Sequence, residues 1–158
     1  MRPPSPEPSG ATAGGDGFTV RTGHQPQDTS GAHRAHQVAQ AWESLLQIRR
    51  LVQPDHADLP APWERAQSVR AVALALEAAG VPIRAVDGDQ VVEAGAVVEG
   101  ADRGGVRVSW GYQRGHRPVD AGEADLRAAA DALGQAGWDA LLYRSGPRRF
   151  LLVEPGRT

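Results

Sequence analysis

The chain has 158 residues, 41% hydrophobic, 23% charged and only 5% aromatic, with a formal net charge of -2. That length supports one domain with some extra chain, and a core built mainly from Val, Leu and Ala. No cysteine is present and all 17 basic side chains are arginine, which excludes disulfides, thiolate metal sites, cysteine nucleophiles, lysine Schiff bases and a P-loop.

Residues 1–30 are dense in Pro, Gly, Ser and Thr, with Phe18 and Val20 the bulky apolar exceptions. Such a segment buries too little surface to offset its ordering entropy, so the expectation is a disordered tail. Residues 31–55 follow as an amphipathic N-terminal helix. Val38, Trp42, Leu45 and Val52 recur at helical spacing over 32–52, with Leu46 and Ile48 widening the stripe. Ser30 is the expected N-cap and Pro54 the stop. Unless it packs on the domain, this face is a candidate surface for a protein partner or a second copy through Trp42, Leu45, Leu46 and Val52.

An α+β domain is expected over 62–155. Its first helix should run from Pro62 to Ala79, with Val69, Val72, Ala73 and Leu76 on one face, Leu74 on the other and Gly80 closing the last turn. VPIRAV reads as a strand, VVEAGAVVEG as a second strand bent or bulged at Gly95, and GVRVSWGY as a third. In that third strand Val106, Val108 and Trp110 face the core, with Arg107 and Ser109 opposite. Another helix is expected from Asp120, with Glu123 completing a capping box and Gly137 ending it. WDALLYR and RRFLLVE then form a hairpin around SGPR.

The order is therefore α-α-β-β-β-α-β-β. It predicts an antiparallel sheet of about five strands with helices packed on one face, preceded by the disordered tail. RAVALALEAAG (70–80) and RAAADALGQAG (127–137) match in Arg, Leu, Gly and four Ala. An α-β-β duplication giving pseudo-symmetric halves of one sheet would produce that echo, a statement about fold and not about activity.

Function is less legible. WGYQRGHR (110–117) is a strand end leading into a helix, where Trp110 or Tyr112 can stack on a planar ligand. Arg114, His116 and Arg117 can hold phosphate or carboxylate there. Arg144, Arg148 and Arg149 extend this patch if the last hairpin lies alongside. Trp110 is in phase with the core, and arginines on the wet face of a sheet are ordinary. His33 with His36, and Asp55, His56 and Asp58, do not make up a ligand set, so no metal is assigned. No cofactor and no catalytic residue are assigned either, since neither a nucleophile elbow nor an acid/base pair stands out.

The missing Lys and Asn use AT-rich codons, which points to a GC-rich bacterium. No apolar run approaches the roughly 18 residues of a membrane span, and MRPPSPEPSGATAGGDG has no apolar signal region. A cytoplasmic location and no membrane partner are expected. The reading is a small non-catalytic binding or regulatory module, with nucleic acid or protein as candidate partner through the basic hairpin and first helix. The element order is also similar to that of the acetyl-CoA-dependent GNAT acyltransferases. Val119, Asp120, Ala121, Gly122, Glu123 and Ala124 stand in the frame of that family's pyrophosphate loop, without its leading Arg or Gln. The resemblance implies an acyltransferase, with splayed strands near residues 112–124.

Overall fold

A computed structural model describes residues 18–157. In chain order it contains α1 (Ala32–Val52), α2 (Pro62–Ala66), α3 (Ser68–Ala78), β1 (Ala85–Asp87), β2 (Gln90–Glu93) and β3 (Gly95–Gly100). Then come β4 (Val106–Gly111), α4 (Glu123–Gln135), β5 (Trp138–Ser145) and β6 (Arg148–Pro155). The class is α+β. Strands β3, β4, β6 and β5, in that order, form one antiparallel sheet, and β1 pairs with β2 in a separate hairpin.

Alternation fixes which face of the sheet is buried. Cross-strand partners Val98 and Val108, Val106 and Val153, and Leu142 and Leu151 all point to one side. Helices α3 and α4 cover that side through Val72, Ala73, Leu76, Leu126, Ala129 and Leu133, all buried in one cluster with those strands. Each such Val or Leu contributes about 1.5–3 kcal/mol relative to an exposed one, and each Ala less. Helix α1 forms an outer layer: Val38 and Leu45 meet Leu74 on the back of α3, with Trp42, Leu46 and Trp63 packed around them. Because α3 lies between the sheet and α1, Ala71 to Leu76 are all buried.

Four details differ from the sequence reading. The helix expected over 62–79 breaks at Gln67, whose backbone leaves the helical region (φ -126, ψ 55). Buried Glu64 ties α2 to α1, bonding Arg49 twice at 2.8 Å, whereas α3 aligns with the sheet; the two constraints meet at the break. The interruption at Gly95 separates two strands, giving six in two sheets instead of about five in one. A Cβ on Gly95 would stand 2.5 Å from the Arg84 nitrogen, so the close approach of 82–84 requires glycine there. Ser30 does not cap α1 with its side chain, since Gly31 is the N-cap residue. Helix α4 begins at Glu123, because Asp120 instead caps a turn that precedes it.

The tail expectation also changes. Residues 1–17 lie outside the described residues, but 18–30 are ordered, with Thr22 and Gly23 against the outer edge of β3 and Gln25 against β1. The Val98 amide donates to the Thr22 carbonyl at 2.8 Å, and Val86 to Gln25 at 3.0 Å. Arg84 Nε reaches the Gly23 carbonyl at 2.7 Å. Phe18 lies under the Arg34 guanidinium at 4.6 Å. Backbone bonds of this kind are available to any composition, and Phe18 and Val20, the two bulky apolar side chains of the segment, also pack against the core.

The sheet is symmetric in topology about the β4–β6 seam. One half is α3 followed by the β3–β4 hairpin, and the other is α4 followed by β5–β6, each with its later strand at the seam. The β1–β2 hairpin is inserted in the first half. Gly80 (φ 82) and Gly137 (φ 97) end the two helices in the left-handed conformation. The echo between 70–80 and 127–137 therefore marks equivalent helices.

Candidate ligand-binding cleft

The two inner strands stay in register over three residue pairs only, Val106–Val108 against Val153–Leu151. Beyond them β4 remains with β3, where Trp110 opposes Ala96 and Gly111 opposes Gly95. Strand β6 remains with β5 as far as Ser145 and Arg148. Each hairpin keeps its own twist, so the inner strands part and leave a cleft of about 540 Å³ at the seam.

This cleft gathers most of the sequence candidates. Trp110, Tyr112, Arg114 and Arg117 line it from the β4 side, and Arg148 and Arg149 from β6. Arg107, Ser109, Gln113 and Phe150 also line it, and sequence reasoning did not nominate them. Alternation puts Arg107 and Ser109 on the wet face, but their meeting with Phe150 depends on a register between distant strands.

Parity decides what each arginine does. Arg144 and Arg149 are cross-strand partners on the helix side, where both bond Glu123 at the start of α4. Glu123 Oε1 accepts from Arg144 Nε at 2.6 Å and from Arg149 Nε at 2.8 Å. These bonds, Arg144 first, hold the Glu123 carboxyl at about 2, against an ordinary 4.5. Arg144 is thus removed from the patch, while Arg149 forms a wall of the cleft with its guanidinium committed. Arg148 points the other way. Its side chain and that of Arg114 make no hydrogen bond or ion pair among the described residues. Arg117 donates to the Pro147 carbonyl, closing its loop onto the last hairpin. Arg107 stacks at 3.9 Å on Phe150, which stacks in turn on Tyr143 with ring centres 5.9 Å apart.

Arg107, Arg114, Arg117 and Arg148 therefore line the cleft without a carboxylate partner among the described residues. The rim carboxylate Glu99, the cross-strand partner of Arg107, makes no ion pair with it and lies 3.4 Å from His24. Tyr112 donates its hydroxyl to Asp125 at 2.5 Å. Burial first, and that bond second, push its pKa well above the ordinary phenol value, so it stays protonated. Gly122 (φ 87) makes room, since a Cβ there would stand 2.7 Å from the hydroxyl. Trp110 is half-buried against the core and shows only part of its ring. His116 is exposed, 3.1 Å from the Arg114 carbonyl through Nδ1, and does not line the cleft.

The first-helix candidates divide differently. Leu45 is buried, and Trp42 and Leu46 pack around the same cluster, so they are committed to α3. Val52 is exposed beside Leu51 and Ile48 at the end of α1. Among the described residues no three His, Asp or Glu gather to hold a metal, and no helix is long and apolar enough to cross a membrane.

The loop before α4 tests the acyltransferase resemblance. The Asp120 carboxylate accepts from the Gly122 and Ala124 amides, each at 3.0 Å. An anion at that helix start would have to displace a carboxylate the chain supplies itself. The chain matches no family model, no curated protein and no solved structure.

Proposed function

We propose that this chain is a non-catalytic binding module whose cleft between β4 and β6 takes a phosphate-bearing ligand with a planar ring, a nucleotide or single-stranded nucleic acid. The observation that supports it is the set of four arginines without carboxylate partners around Trp110, Tyr112 and Phe150. Guanidinium groups bind phosphate bidentately, and aromatic faces or a stacked guanidinium receive a base without regard to its identity. Such a site acts locally, which fits a chain whose net charge is slightly negative.

Titration of the protein with single-stranded oligonucleotides and with nucleotides, at several salt concentrations, tests the reading. Affinity for an oligonucleotide should fall steeply with salt. Arg114→Ala with Arg148→Ala should weaken it at least about tenfold and reduce the salt slope by about two. Both side chains are exposed and without partners, so the melting temperature should hold. Binding indifferent to salt or to this double variant would remove the proposal.

The parting of β4 and β6 also supports a second reading, a GNAT-like acyltransferase, because that resemblance implies splayed strands. Asp120 at the start of α4 weighs against it. A rise in melting temperature with saturating acetyl-CoA would favour the enzyme over the binding module.

A further inference from the structure

The two outer strands of the sheet hold equivalent places in the two halves, yet their edges differ. Residues 22–25 and the bridge from Ile83 to Ala96 cover the outer edge of β3. Strand β5, eight residues long, has β6 as its single strand neighbour, and no described segment pairs with its outer edge. Exposed edges invite pairing with another chain, and proteins commonly blunt them with proline, a bulge or charged side chains. Strand β5 carries two charges, Arg144 bonded to Glu123 on the helix side and Asp139 near its start. No proline or bulge interrupts Trp138–Ser145, which stays in unbroken register with β6. The side of β5 away from the helices instead exposes Leu141 (62%) and Tyr143 (43%).

From this we infer that β5 is a self-association edge. Two copies pair their β5 strands antiparallel about a two-fold axis at Leu141 and join two four-stranded sheets into one. The residues on the helix-free side of β5 read Asp139, Leu141, Tyr143, and this series is complementary to its own reverse. Leu141 meets Leu141 of the second copy, and each Tyr143 hydroxyl faces an Asp139 carboxylate at a polar rim. A closed two-fold contact uses the same patch twice, as this one does. It shields the flanks of the two most exposed large apolar side chains of the sheet and gives the free backbone groups partners. The occupant is a second copy of the chain, joined through β5 and not through α1.

Sedimentation of the full chain over a wide concentration range should show a monomer–dimer equilibrium. Leu141→Asp places two carboxylates opposite each other and should raise the dissociation constant at least about tenfold. The site is exposed, so circular dichroism and melting of this variant should stay those of a folded chain. Because the chain has no cysteine, Leu141→Cys introduces a single thiol, and mild oxidation should yield a disulfide-linked dimer. A strict monomer at millimolar concentration, a dimer unaffected by Leu141→Asp, or a Leu141→Cys protein that fails to cross-link would each overturn the inference.

Discussion

Two carboxylates, Glu64 and Glu123, stabilise the fold by opposite routes. Glu64 is fully buried and accepts from Arg49 and from the Ala61 amide, while Arg49 also reaches the Ala136 carbonyl at 2.9 Å. One ion pair thereby ties α1, α2 and the end of α4 together. Removing one member strands a buried charge, so Glu64→Ala is expected to cost about 3–5 kcal/mol in urea denaturation. Arg49→Met combined with Glu64→Leu should lose much less. Glu123 lies nearer solvent, and its effect is read through pH. Its folded-state pKa of about 2 lies below the ordinary 4.5, so the stabilisation it gives is fully present above 4.5. That stabilisation fades as pH falls from there through 2. The melting temperature of the wild type should drop across that window, and Glu123→Gln should flatten the drop. Neither role was legible in the sequence. Arg49 and Glu64 are unremarkable in composition, and Glu123 reads as a capping-box residue until strand parity brings Arg144 and Arg149 to it.

The elements themselves were far more legible, because periodicity is a local property. The bounds of α1, the alternation in β4 and the glycine closures after α3 and α4 follow from spacing alone. What escaped was decided by neighbours distant in sequence: the break at Gln67, the division at Gly95 and the ordering of residues 18–30. That last segment also predicts behaviour. Deleting residues 1–25 would uncover the β3 edge, and the truncated protein should aggregate faster than the wild type in light scattering. A chain starting at Phe18 retains every described contact of the segment and should aggregate no faster than the wild type.

For the whole molecule, the sequence indicated the class and the side of the sheet that carries helices, but not the strand order. The repeated helix–glycine–strand unit was visible as an echo. Its meaning needed the topology, in which the repeated units meet at the seam. The candidate site was half legible for the same reason. Residues 110–117 are contiguous, whereas Arg107, Phe150 and Arg148 join them only across strands. The short seam has a mechanical consequence. Within the sheet, the two halves are held together by three residue pairs, like boards hinged along a short spine. Arg107 and Arg114 belong to one board and Arg148 to the other, so a ligand gripping both acts as a clasp. Its binding energy would resist opening of that spine, and occupancy would slow hydrogen exchange most along it, at Val106 to Val108 and Leu151 to Val153.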